Sequence, residues 1–469
     1  MGKALNFRKA GSRMNRSRVL VVLLLCLCGH ALAGDFGTAF WVWQRRDGLS
    51  SAELAGLNGC GVRVLYWQAG ELTNYGDTWV WSAYGMAPSG GSGIRIVPVI
   101  RLVSTARAPF SGTSLQQLLS VLGAEAFRFD EMQIDYDCPD RLLGQYAAAL
   151  TQLRRRVRRL SATALAGWSR LPAWVQLQSS VDELFPMFYD LEPDPTLGAG
   201  RAPIPLLDPA KVERELQEWG SCKIPWEAGL PSFSRVTLYG PDGVAHGHLR
   251  KWAWDDVCFD PALATSGSTQ LGVTLFRATA PGRLEDAELK AGDSVAVRWP
   301  DRGALSEIAG AAKAAGAAGI VYFRLPDSED PSGWSLPQIA NPQAAPRLGI
   351  NRNGPQQLVL VNDADGDLAP RLSGTAGLDR GYALELDAPG PIFRDAMEGD
   401  FWRVTSHADP DTVPHPVPIP LATRLTFWFS HLRAHESLNT GLIQLAPGAN
   451  LGQVRYRIVP GVTQWQSIP

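Results

Sequence analysis

The sequence predicts a mixed α/β chain, a (β/α)8 TIM-like barrel followed by a C-terminal β-sandwich. From residue 35 to about 330, short runs rich in β-branched and aromatic residues alternate with helical stretches, as in a parallel βα repeat. Most of those runs are continuously apolar, as strands buried on both faces are. Beyond about residue 340 the helical patterns stop, and short strand-like runs separated by Gly, Pro and Asp take over, the pattern of a sandwich.

The predicted barrel strands, in order, are "TAFWVWQR" (38–45), "VRVLYWQ" (62–68), "IRIVPVIR" (94–101) and "EMQIDYD" (131–137), then "LSATALAGW" (160–168), "DELFPMFYD" (182–190), "KIPWEAGLP" (223–231) and "AGIVYFRLP" (318–326). Helices are expected over 50–61, 114–124, 141–160, 209–220 and 304–319. The basic run "RRRVRR" (154–159) falls at the end of one of them, where cations suit the helix dipole. The stretch 234–298 is too long for a plain connecting loop, and "SRVTLYG", "LGVTLFRA" and "DSVAVRWP" mark it as an insertion with its own strands. The expected organisation is a leader over 1–33, a barrel over 34–340 and a β-sandwich over 341–469, with "QQLVLVN", "GYALELD", "TRLTFWFS" and "QVRYRIV" among its strands.

The leader carries Lys3, Arg8, Lys9, Arg13, Arg16 and Arg18 without an acid, then an apolar run over 19–27 and the small-residue ending "GHALA". This is the pattern of a signal peptide cut after Ala33, and it predicts an exported protein, periplasmic or extracellular. The apolar run is shorter than the roughly 20 residues that span a bilayer, so no membrane span is expected after cleavage. Removing the six leader cations takes the formal charge of −2 to −8. An acidic chain argues against nucleic acid as a partner. Cys60, Cys138, Cys222 and Cys258 remain after the leader, and in an exported protein they permit three alternative pairings. A monomer is expected.

Active sites of parallel barrels lie at the carboxyl ends of the strands, which turns the strand list into a residue list. By this reading the ends carry Trp43, Trp67 and Glu71, Arg101, Asp135 and Asp137, Trp168, Tyr189 and Asp190, Trp226 and Glu227, and Arg324. Sugars present apolar ring faces that pack on aromatic side chains and hydroxyl edges that bond to carboxylates and Arg. The set therefore predicts a polysaccharide or oligosaccharide as partner.

"QIDYD" (133–137) together with "PMFYD" (186–190) resembles glycoside hydrolase family 18, whose fourth barrel strand ends Asp-Gly-x-Asp-x-Asp-x-Glu and whose sixth carries Met-x-Tyr-Asp. Asp135 and Asp137 match the last two aspartates, and Met187, Tyr189 and Asp190 match the second motif. The family's acid glutamate falls on Pro139 and its first aspartate on Met132. The region 36–330 resembles still more closely domain of unknown function family 3142, a set of exported bacterial proteins, through "IDYD", "TALAGW", "PMFY" and "GLPSF". That resemblance implies a barrel and supplies no reaction.

Glycosidic hydrolysis ordinarily needs two carboxyl groups. Asp137 with Glu227, on the fourth and seventh strands, is one candidate pair. Asp135 with Asp137 is the other, since alternate strand residues share a face and neighbouring carboxylates raise one another's proton affinity. Asp140 is a possible substitute donor beyond the Cys-Pro turn.

No cofactor is expected: phosphate-binding and dinucleotide fingerprints are missing, "HGH" (246–248) lacks a third ligand for a metal, and "NDADGD" (362–367) lacks the glutamate that closes a calcium loop. The sequence points to an exported glycosidase-like protein processing a polysaccharide through paired carboxylates. The alternative is a non-catalytic glycan-binding or envelope-assembly protein on a degenerate hydrolase barrel.

Overall fold

A computed structural model of the chain describes residues 36–84, 93–126, 129–198, 201–268, 271–285, 287–326, 332–408 and 416–469; the expected leader lies outside them. Eight parallel strands close into a barrel: β1 (Gly37–Val42), β2 (Val64–Tyr75), β3 (Arg95–Ser104), β4 (Glu131–Asp135), β5 (Arg159–Leu165), β6 (Glu183–Met187), β7 (Glu227–Pro231) and β8 (Gly319–Phe323). Closure is made by β1, which pairs with β8 from Gly37↔Gly319 to Trp41↔Phe323 and with β2 from Ala39↔Val64 to Val42↔Trp67.

The apolar runs form strands buried on both faces because strand side chains alternate. Ala39 and Trp41 of β1, Tyr66 of β2, Val97 and Val99 of β3, Phe185 of β6 and Val321 of β8 fill the barrel interior. Their neighbours Phe40, Val42, Leu65 and Trp67 point outward into a second core beneath the helices. Inside, Trp41 Nε1 donates to Gln133 Oε1 at 2.7 Å.

The helices that alternate with the barrel strands are α1 (Ser51–Gly59), α2 (Gly112–Ala126), α3 (Leu143–Arg154), α4 (Trp174–Ser180), α5 (Pro209–Trp219) and α6 (Arg302–Ala314). Local chemistry sets their starts: Ser50 and Glu53 form a capping box on α1, Asp208 caps α5 with Pro209 in the first turn, and Asp301 caps α6. The helix expected over 141–160 stops at Arg154, because the rest of its basic run turns into β5. There Arg159 reaches Glu183 at 2.7 Å and Glu131 at 3.4 Å. Where a helix would follow β2, the chain instead folds back as an antiparallel strand, Thr78–Ala83. Gly70 sits at an irregularity of β2, where a Cβ would lie 2.4 Å from the Trp81 ring.

Between β7 and α6 the insertion forms a five-stranded antiparallel sheet, in the order Ala245–His248, Arg235–Tyr239, Ser294–Arg298, Val273–Ala278, Leu263–Ser268. After a short helix, Leu336–Ala340, the remaining sheets are antiparallel. Leu358 and Leu360 of a three-stranded sheet share one core with Leu384, Leu386, Leu425 and Phe427 of a five-stranded one. The insertion packs on this part: Phe259 stacks on Trp402 at 4.5 Å, and buried Arg380 donates to the carbonyls of Asp260 and Leu263. Among the described residues the four cysteines are unpaired, and no helix is long and apolar enough to cross a membrane.

Candidate active site

At the carboxyl ends of the barrel strands lies a pocket of about 520 Å³. β1 contributes Trp41 and, just past its end, Trp43; β3 contributes Arg101; β4 ends in Asp135 and is followed by Asp137. Thr163 and Leu165 of β5, Met187 of β6 with Tyr189 and Asp190 beyond it, Arg235 of the insertion and Phe323 of β8 complete most of the wall. Tyr136, between the two aspartates, points away and packs edge-on against Phe110 and Tyr146. The two-residue alternation thus turns both carboxylates into one cavity.

Asp135 is the deeper of the pair. Thr163 Oγ1 donates to its Oδ1 at 2.8 Å, and Arg101 Nε lies 3.9 Å from Oδ2. Burial, and secondly the charge of Asp137, push its carboxyl up to about 6, with Thr163 and Arg101 opposing. Burial also raises Asp137, against the pull of Arg101. No ion pair or hydrogen bond to the Asp137 carboxylate forms among the described residues. The Arg101 guanidinium is only loosely held, 3.5 Å from Glu71, and sits 6.0 Å from the centre of the Trp43 ring.

The opposite wall is aromatic. Tyr189 stacks on Phe323 at 6.0 Å, and Trp43 meets Phe323 edge-on at 5.5 Å. Burial, then the nearby aspartates, drive the Tyr189 phenol well above its usual range, so at neutral pH it is an uncharged hydroxyl. At the rim Arg235 bonds Asp190 at 2.5 Å. Asp190 adopts a left-handed φ of 50°.

Of the residues expected at the site, Asp135, Asp137, Trp43, Arg101, Tyr189 and Asp190 line this pocket, and Glu71 stands behind Arg101. The others lie elsewhere. Glu227 opens β7 instead of ending it: it pairs with Gly319, the first residue of β8, and lies near Glu183, Arg95 and Arg159 at the amino ends of the strands. Asp135 closes β4, so the two carboxylates stand at opposite ends of the barrel, separated by strands of five residues or roughly 13 Å. The pairing of Asp137 with Glu227 is thereby excluded.

Trp226 precedes Glu227 at that same end and is buried in the outer core. Trp67 has the outward parity of β2 and is fully buried, and Trp168 lies in the short helix Ala166–Arg170, buried against Tyr146. None of the three lines the pocket. Arg324 borders a separate small cleft with Arg45 and Leu325. Pro139 and Asp140 begin a helical turn, and Asp140 is exposed outside the pocket lining.

Sequence reasoning missed Thr163, Trp41, Phe323 and Arg235. Thr163 was findable, as a polar residue at inward parity within an otherwise apolar strand. Arg235 comes from the insertion, beyond the reach of the strand-end rule.

No family model matches this chain, and no curated protein matches it. Solved structures do. The spore cortex-lytic enzyme SleL of Bacillus megaterium QM B1551 is similar at 14% identity and TM-score 0.40, over 62% of this chain and 70% of that one. A glycoside hydrolase family 18 N-acetylglucosaminidase from Paenibacillus barengoltzii is similar at 11% identity and TM-score 0.39, over 62% and 95%. Chitinase ChiA74 from Bacillus thuringiensis is similar at 9% identity and TM-score 0.40, over 91% and 100%.

Proposed function

We propose that this chain is an exported carbohydrate-processing protein that hydrolyses a glycosidic bond at the Asp135–Asp137 pocket. One observation carries the reading: two carboxyls of raised proton affinity share a pocket walled by Trp43, Tyr189 and Phe323. Two such carboxyls and an aromatic wall are what sugar binding and acid catalysis require. The motifs "QIDYD" and "PMFYD", which resemble those of glycoside hydrolase family 18, supply residues on both sides of this pocket.

The two neighbouring carboxyls share one proton, and in the proposed reaction Asp137, nearer the mouth, passes it to the glycosidic oxygen as the bond from that oxygen to the anomeric carbon breaks. Ionised Asp135, held by Thr163, balances the positive charge developing on the sugar. Water then adds to the anomeric carbon and returns a proton to Asp137. The uncharged Tyr189 hydroxyl and the Asp190–Arg235 pair orient the sugar's hydroxyl groups.

A second reading, a glycan-binding protein without catalysis, is favoured by Pro139 at the position of the family's acid and by Asp140 outside the pocket. Reducing-end release from a panel of polysaccharides, measured beside binding by tryptophan fluorescence, separates the two. Hydrolysis predicts release by the wild type that falls by about 10²-fold or more in Asp137→Asn. Binding without release from any glycan establishes the second reading; neither binding nor release sinks both.

A further inference from the structure

The five-stranded C-terminal sheet carries an unassigned cluster on the face away from its core. Leu384, Leu386, Leu425, Phe427, Tyr456 and Ile458 point into the sandwich. The alternate positions therefore stand on the opposite face, and they hold Glu385, Asp387, Arg424, Arg455 and Arg457. Strand register makes these neighbours: Arg457 bonds Glu385 and Arg455 bonds Asp387, each at 2.6 Å, while Arg424 lies 3.5 Å from Asp387.

Over this network lies Trp465, from the edge strand Val462–Ser467. Its ring centre is 4.5 Å from the Arg457 guanidinium carbon, 4.9 Å from that of Arg424 and 5.7 Å from that of Arg455. All three guanidiniums rise from the sheet face that carries the ring, and Trp465 is itself part-exposed. Arg424, beneath, is only 8% exposed, whereas the Arg455 side chain is 57% exposed. Among the described residues the indole N–H has no hydrogen-bond partner.

We infer that Trp465 is the platform of a second carbohydrate site, whose ligand is a polysaccharide strand bearing carboxylates. A part-exposed indole ring suits the apolar face of a sugar ring. Three guanidiniums against two carboxylates leave this patch positive on a chain that is acidic overall. Cations gathered around the ring draw on its electron density and favour an anionic sugar over a neutral one. Arg455 and the indole N–H stand at the edge of the platform as donors to a carboxylate. The site is separate from the barrel pocket and does not depend on hydrolysis there.

Affinity electrophoresis of the full chain in gels containing polygalacturonate or alginate, with neutral dextran as reference, tests this. Retardation by the acidic polymers, weakened by salt, is expected. Trp465→Ala should weaken it roughly tenfold or more, as truncating a central aromatic contact does, while Trp465→Phe and Asp137→Asn retain it. Arg455→Gln, altered at an exposed side chain, should weaken it several-fold and serves if the alanine variant fails to fold. No retardation in either acidic gel, equal retardation by dextran, or unchanged retardation in folded Trp465→Ala or in Arg455→Gln overturns the proposal. Asp137→Asn that loses hydrolysis but keeps retardation separates this site from the pocket.

Discussion

The Thr163 hydroxyl donates a 2.8 Å hydrogen bond to Asp135, whose carboxyl is pushed up to about 6. That bond favours the ionised carboxylate, so removing it must raise the proton affinity further. In Thr163→Val the Asp135 carboxyl should titrate above 6 by carboxyl NMR, and any acid limb of the activity profile, where Asp135 loses its charge, should move the same way. An unchanged or lowered value would show that Thr163 does not hold the ionised form.

Glu227 is pushed up to about 8, first by burial and then by Glu183. Its folded value lies above the unfolded one, so the folded protein holds the proton more tightly and stability is lost as pH rises from about 4.5 to about 8. Glu227→Gln removes that loss. Thermal melts between pH 5.5 and 8.5 should show a smaller fall in Tm for the variant, and a few kcal/mol is the order of the difference. Hydrolysis should be unaffected, because the residue is at the far end of the barrel. A large loss of activity without loss of fold would contradict this.

Gly229 lies against the barrel interior, where an added Cβ would come within 2.9 Å of the Trp41 ring and 3.0 Å of the Pro186 carbonyl. Trp41 is anchored by Gln133, and neither it nor the strand backbone can yield cheaply. Gly229→Ala should therefore cost about 1–3 kcal/mol in denaturant unfolding and disturb the Trp41 floor of the pocket. A variant as stable as wild type would mean that the interior is looser than these contacts imply.

The Asp190–Arg235 pair at the rim is partly exposed, with side chains 28% and 24% accessible. Such pairs contribute roughly 0–1 kcal/mol to stability, so Arg235→Gln should melt near the wild-type temperature. Its expected effect is on substrate binding, a KM raised several-fold with kcat little changed. A reduced kcat at unchanged KM would place Arg235 in the chemistry instead.

All eight barrel strands were legible because burial on both faces writes a continuous apolar run, and that signal survives uneven strand lengths. The direction of a strand's charged end was not. In "KIPWEAGLP" apolar residues lie on both sides of Glu227, and only pairing with Gly319 reveals that the strand begins there. Trp67 and Trp168 were misplaced for a related reason: a large aromatic at a strand end suits an outer core as well as a pocket, and parity decides. For Asp135 and Asp137 parity was readable, since Tyr136 between them could not share their face. Short elements such as Trp174–Ser180 and Thr78–Ala83 are held by tertiary packing and leave little periodic trace.

The most direct test is the structure of Asp137→Asn with an oligosaccharide bound. The account predicts a sugar ring against Trp43, Tyr189 or Phe323, with a glycosidic oxygen within about 3 Å of the side chain at 137 and the ring beside Asp135. An oligosaccharide bound only outside this pocket, or one whose glycosidic oxygens all lie beyond reach of position 137, would contradict it.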